Sequence, residues 1–192
     1  DVVRTEFLPP PAPLGAGAGI GGDAEARLAD LEAWEQTGHR KEEEFTRAQT
    51  LGLFDYLRKS HSRGFVVSLS GGADSAAVSC LVALLAGRLT TELTRDELAE
   101  RLGFLGADWA RRTLRDLTGT EAQRALVGAW LTTAYQSTRN SGEVTRAAAA
   151  SIAQALGADH HEIDVDALVD AYVSRAGAAL GRALDWEHDD IA

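Results

Sequence analysis

A chain of 192 residues holds one ordinary domain with a tail and is too short for two full domains. Its net charge of −10, from 29 acidic against 19 basic residues, excludes a general nucleic-acid surface, since phosphate backbones call for clustered Lys and Arg. A single cysteine, Cys80, excludes an internal disulfide and a cysteine-built zinc site, and sets a reducing, cytoplasmic compartment as the expectation.

Taken in chain order, residues 7–22, FLPPPAPLGAGAGIGG, carry all four prolines of the chain among a run of glycines. Such a stretch sustains neither a helix nor a central strand and reads as a linker. Residues 23–37 are rich in alanine and acid and predict a short exposed helix, so residues 1–38 form a lead-in and 39–192 the domain. From Lys41 to Ser60 an amphipathic helix is expected, with Phe45, Ala48, Leu51, Phe54, Tyr56 and Leu57 on one side. Its acidic run Glu42-Glu43-Glu44 reads as a solvated helix start, where negative charge is favourable. FVVSLS (65–70) then predicts a strand, followed by a helix from Asp74 to about Ala86. Cys80 on that helix reads as a packed core residue rather than a nucleophile, because no base is evident beside it.

Residues 87–120 alternate helix-like pieces with turns. A second apolar run, ALVGAWLTTAY (125–135), contains a strand that ends near Tyr135. A polar turn leads to a helix over 141–157, with Ser141 as a candidate N-cap and Gly157 as C-cap. HHEIDV (160–165) predicts a third strand, and Asp166 is the expected cap of a last helix. His160 and His161 adjoin on that strand and so face opposite sides, which denies them a shared metal. Trp109 and Trp130 read as core or interface anchors. No apolar run approaches the ~20 residues of a bilayer span, and no basic-then-apolar leader opens the chain, so no membrane partner is expected. Strands alternating with helices give an α/β fold, a Rossmann-like parallel sheet with flanking helices.

In such a sheet ligands gather at the C-terminal ends of the strands. The loop Ser70-Gly71-Gly72-Ala73-Asp74-Ser75 lies there. Two glycines let the backbone turn and approach an anion, and successive N–H groups at a helix start suit phosphate. Asp74 would repel bare phosphate and makes sense as a ligand for a bridging divalent ion. A tight turn with a capping aspartate is the bland alternative. The full string of serine, two glycines, one residue, aspartate and serine between strand and helix is the pattern of ATP pyrophosphatases, and it is not the GxxxxGK[ST] loop.

The stretch GFVVSLSGGADSAAVSCLVALL (64–85) resembles the synthetase domain of glutamine-dependent NAD synthetases, in the eukaryote-like branch. WLTTAYQSTRNSGEVTRAAAASIAQALGADHHEIDVDALV (130–169) and EEEFTRAQTLGLFDYLRKSHSRG (42–64) are similar to neighbouring segments of the same domain, in the same order. The resemblance covers roughly residues 40–192 and implies an adenine nucleotide alpha hydrolase-like fold, incomplete at the C-terminal side. It implies that ATP adenylates nicotinic acid adenine dinucleotide with release of pyrophosphate. Ammonia, supplied from glutamine by a domain outside this sequence, then gives NAD. Ser68, Leu69, Ser70, Gly71, Gly72, Ala73, Asp74 and Ser75 would hold the ATP phosphates. Asp74 would bind Mg2+, and Thr138, Asn140 and Ser141 would lie near the adenosine end. Gly142 stands where the family pattern has a second serine. No catalytic residue is singled out, since the reaction rests on charge stabilisation and positioning.

The resemblance further implies a homo-oligomer in the full-length protein. The lack of methionine, position 1 included, and the end at LDWEHDDIA (184–192), short of a basic Ala-Arg segment, give the expectation of an excerpt that is itself inactive. Two other readings stand beside this one: an interaction module that retains the nucleotide loop, and another ATP-pyrophosphatase amidotransferase.

Overall fold

The computed structural model describes residues 31–105, 109, 112, 114, 117–185 and 189. The linker read at 7–22 and most of 184–192 lie outside them. The chain divides into two compact units, 1–44 and 45–192. In the first, the described residues include a 3-10 turn, Ala33–Gln36, in which the side chains of Glu32 and Glu35 cap each other's backbone.

The helices are α1 (Arg40–Ser60), α2 (Ala73–Glu92), α3 (Arg95–Arg101), α4 (Gly119–Trp130), α5 (Glu143–Leu156) and α6 (Asp166–Leu180). The strands are β1 (Phe65–Ser68), β2 (Leu131–Ser137) and β3 (Asp159–Asp164). They form one parallel sheet in the order β1-β2-β3, with Ser68 opposite Ala134 and Ser137 opposite Asp164. The expected α/β architecture of parallel strands and crossover helices is present.

One face of the sheet explains the core. Leu69, Leu131, Thr133 and Tyr135 are buried on alternate strand positions. Helix α4 buries Ala122, Leu126, Val127 and Trp130 at helical spacing against Val82, Ala83 and Ala86 of α2. Trp109 stacks on Trp130 with ring centroids 6.2 Å apart, so both tryptophans anchor the core as expected. A smaller cluster joins Leu69 and Tyr135 to Ala149 and Ala153 of α5, whose alanines let helix and sheet approach closely. The other face carries Val66, 80% exposed, and Ile163, 44% exposed.

Several expectations are corrected. Strand β1 stops at Ser68 rather than Ser70, although the Leu69 N–H still donates to the Ala134 carbonyl at 2.8 Å. The Ser70 N–H instead turns to the Ser75 hydroxyl, which begins the loop. Helix α2 runs six residues past Ala86, where half-buried Leu89 packs against the core. At 20 residues it is also long and apolar enough to cross a membrane, contrary to the reading that no such segment exists. Its buried residues Val82, Ala83 and Ala86 pack against α4. On α1 the buried line is Thr50, Leu53, Phe54 and Leu57, whereas Phe45, Ala48, Leu51 and Tyr56 are exposed. Cys80 is exposed rather than packed, since the α2 stripe passes through Ser79 and Val82 on another side. The run 125–135 contains the start of a strand as expected, β2 from Leu131, which ends at Ser137 rather than near Tyr135, while its residues up to Trp130 belong to α4.

The capping assignments move by one residue. Gly142, not Ser141, is the N-cap of α5, and Val165, not Asp166, that of α6. The Asp164 carboxylate accepts the Asp166 N–H at 2.9 Å and so supports the α6 start. Gly157 caps α5 as expected, in the left-handed region at φ 80°, with its N–H returned to Ala153.

Candidate functional site

Strands β1 and β2 point the same way, so the loops that leave them lie side by side at the C-terminal edge of the sheet. Of three contacts at this edge, two join the loops and one holds α5 on β2. The Ser68 hydroxyl donates to Gln136 Oε1 at 3.0 Å. The Tyr135 hydroxyl bonds Thr145 Oγ1 at 2.9 Å, which fixes the first turn of α5 over β2. Gly71 closes the third contact: a Cβ there would stand 2.3 Å from the Thr145 carbonyl oxygen, so only glycine fits.

Gly71 sits at φ 80°, and this bend sends the chain from the sheet into α2. Gly72 is the N-cap of α2 and supplies no side chain to its first turn. The N–H groups of Ala73, Asp74 and Ser75 therefore face outward from the helix start without intrahelical acceptors. The first helical bond is Ala76 N–H to Gly72 C=O, at 3.2 Å. Ser70 and Ser75 hold the loop through long contacts. Their hydroxyls lie 3.2 Å apart, Gly72 N–H reaches Ser70 Oγ at 3.3 Å, and Ser75 Oγ reaches the Gly72 carbonyl at 3.3 Å. Such bonds are weak at this length and exchange readily for a charged acceptor. Asp74 is exposed in the first turn of α2. Ser68, Leu69, Ser70, Gly71, Gly72, Ala73, Asp74 and Ser75 thus form one continuous edge, of which Leu69 is buried beneath the loop as a support.

The second turn is arranged differently from the simple reading of Thr138, Asn140 and Ser141. Ser141 Oγ accepts the Thr138 N–H at 2.9 Å, and Thr138 Oγ1 accepts the Asn140 N–H at 3.3 Å. Those hydroxyls build the turn. The Asn140 side chain stands exposed beside them.

Arg139 is the residue in this turn whose role the sequence did not disclose. Its backbone N–H donates to Asp166 Oδ1 at 3.0 Å, and its guanidinium pairs with Asp166 at 3.2 Å and Asp170 at 2.6 Å. The Arg139 backbone N–H, and then its side chain, hold the Asp166 carboxyl below the usual aspartate range. The two aspartates raise Arg139 in turn, Asp170 first. A spacing of four residues on α6 places both acids on one face, which is visible in sequence, but the partner 27 residues away is not.

His160 and His161 part as expected. His160 Nδ1 meets Thr133 Oγ1 at 2.8 Å inside the sheet, and His161 Nε2 meets Asp159 on the other face at 3.2 Å. Among the described residues no group of three or more His, Cys, Asp or Glu is placed to hold a metal by itself.

Residues 45–98, which include this loop, match the family model described as NAD synthase. A crystal structure of a glutamine-dependent NAD(+) synthetase from Cytophaga hutchinsonii superposes with a TM-score of 0.68 at 41% identity, over 79% of this chain and 26% of that one. Over these residues the chain is similar to the NAD synthase family. Among relatives in this family, the glutamine-dependent NAD(+) synthetase of Homo sapiens is 33% identical over 146 residues, and that of Oryza sativa subsp. indica 32% over 152. These matches take in 76% and 79% of this chain. The chain spans about a fifth of the length of the curated relatives it matches. The Gly71-Gly72 turn lies just past the end of β1 and Asp74 in the first turn of α2.

Proposed function

We propose that the chain is the ATP-binding part of a glutamine-dependent NAD synthetase, in which the loop Ser68–Ser75 cradles the ATP phosphates. The observation that carries this reading is the start of α2. Outward N–H groups from Ala73 to Ser75, a cap residue without a side chain, and the positive end of a 20-residue helix converge on one exposed edge. Ser70 and Ser75 would release each other's hydroxyl and donate to phosphate oxygens. Asn140, exposed on the adjacent turn, would meet the nucleoside end.

The donor set fits magnesium. One exposed carboxylate, Asp74, beside a phosphate cradle matches an ion that keeps water and takes one or two carboxylates with substrate phosphates. When bound, Mg2+ would neutralise charge on the pyrophosphate that leaves. The substrates would be ATP and nicotinic acid adenine dinucleotide, with adenylation of its carboxylate, release of pyrophosphate and displacement of AMP by ammonia derived from glutamine. The loop's part is to orient the phosphates and stabilise negative charge on the departing pyrophosphate through fixed donors. This is a cytoplasmic reaction in our reading.

The test is pyrophosphate release by the full-length protein supplied with ATP, magnesium, ammonia and nicotinic acid adenine dinucleotide. Asp74→Ala should lower the rate at least 100-fold, within the range spanned by removal of one catalytic charge-stabilising group. A variant rate within twofold of the parent would remove Asp74 from the site.

A further inference from the structure

The turn 138–141 is fastened to the start of α6 by a single residue. Both oxygens of the Asp166 carboxylate take donors of Arg139: Oδ1 accepts the backbone N–H at 3.0 Å, and Oδ2 pairs with Nε at 3.2 Å. One helical turn along α6, Asp170 Oδ2 accepts Arg139 Nη2 at 2.6 Å. Asp166 is aimed in its turn by the end of the sheet. Its N–H donates to Asp164 Oδ1 at 2.9 Å, and the Val165 N–H donates to the Ser137 carbonyl at 2.9 Å.

Within the turn, the Ser141 N–H returns to the Thr138 carbonyl at 2.9 Å, and both hydroxyls accept backbone N–H groups. The Asn140 carboxamide is exposed and makes no hydrogen bond among the described residues. Arg139 and Asp170 are more than half exposed, and an ion pair so placed adds little stability, because solvent screens it. What the pair fixes is direction. Two donors of one residue on one carboxylate hold Arg139 in a single conformation, and with it the path of the chain into Asn140. A side chain held in place before its ligand arrives loses less freedom on binding.

We propose that Arg139 is a positioning residue of the nucleotide site, acting through Asp166 and Asp170 to hold the Asn140 carboxamide toward the nucleoside of ATP. This rests on the reading of Ser68–Ser75 as the phosphate cradle, which leaves the sheet at the same edge as the turn. Two devices then divide the ligand. Backbone N–H groups at the α2 start take the phosphates and need no side chain from the turn. The carboxamide offers a donor and an acceptor together to the base or ribose.

The test compares Mg-ATP with Mg-tripolyphosphate, which has the phosphates and no nucleoside. Each is titrated into the 15N-labelled full chain and read at the amides of 71–75. Arg139→Ala should weaken Mg-ATP at least fivefold and leave Mg-tripolyphosphate within twofold. Asn140→Ala should act alike, and adding Arg139→Ala to it should cost no further affinity, because one residue works through the other. Arg139→Lys, which keeps the backbone N–H and the charge, should recover part of the loss. Equal weakening of both ligands would make Arg139 a structural residue only, and additive losses would detach it from Asn140. Either result, or unchanged Mg-ATP affinity in Arg139→Ala, would overturn this inference while the phosphate cradle stands. A parent chain whose 71–75 amides respond to neither ligand would overturn both.

Discussion

At Gly71 two constraints coincide that are separable in principle. A φ of 80° disfavours any side chain with a Cβ, and the Thr145 carbonyl occupies the place where that Cβ would go. Gly71→Ala must therefore move either the loop or the first turn of α5. A loss of about 2 kcal/mol or more in chemical denaturation is expected, since the strain and the displaced packing add. Nucleotide binding should fall with it. An alanine variant as stable as the parent would show that the loop reaches the same path without left-handed backbone. The neighbouring Gly72 makes a milder contact, 3.3 Å from Ser70 Oγ to a built Cβ, so Gly72→Ala should cost less than Gly71→Ala in the same measurement.

At the scale of elements, the caps and turns decide which segments hold. Helix α3 has only seven residues and relies on a reciprocal cap, with Thr94 Oγ1 accepting the Glu97 N–H and Glu97 accepting the Thr94 N–H. Thr94→Ala should destabilise the fold by about 1 kcal/mol, read as a shift in denaturation midpoint at unchanged slope. The 138–141 turn depends on Asp166, whose folded pKa lies below its ordinary value. A carboxylate depressed on folding contributes fully above its unfolded pKa of about 3.9, and that contribution is lost as pH falls through the folded value. The Arg139 amide should thus titrate with a midpoint below 3.9. In Arg139→Ala the midpoint should rise but stay below the ordinary value, because the backbone N–H, the larger cause, survives the substitution. A midpoint at the ordinary value in the parent protein would dissolve the clamp. Much of this level was legible in the sequence. Gly157 declared a helix end through its conformational freedom, and the alternation through Leu131, Thr133 and Tyr135 declared a strand. The face of α1 was not legible, because Phe45, Leu51 and Tyr56 fall at the same helical spacing as residues that do pack, and periodicity does not say which apolar stripe meets a neighbour. The Arg139 clamp was hidden for a related reason: an ion pair across 27 residues leaves no local signature.

For the whole molecule, the strand order and the loop positions follow from a few local rules, and the described residues obey them. Parallel strands require crossovers, crossovers place α2 and α5 over one face, and both loops then emerge at one edge. The candidate site was legible to the extent that its glycines and its aspartate act through the backbone of one segment. Contacts between segments, such as Gly71 with Thr145 or Ser68 with Gln136, emerge only when the sheet is assembled. The chain covers 26% of the related synthetase structure, and the relatives' remaining length is where further substrate contacts are to be sought. What stands or falls within this chain is the claim that the edge at Ser68–Ser75 holds nucleotide phosphate. The direct measurement is a titration of the 15N-labelled full chain with Mg-ATP. The account predicts saturable shifts largest at the amides of residues 71–75, with smaller ones at 138–141 and none at 47–54. Shifts centred elsewhere, with the amides of 71–75 unmoved at saturation, would contradict it.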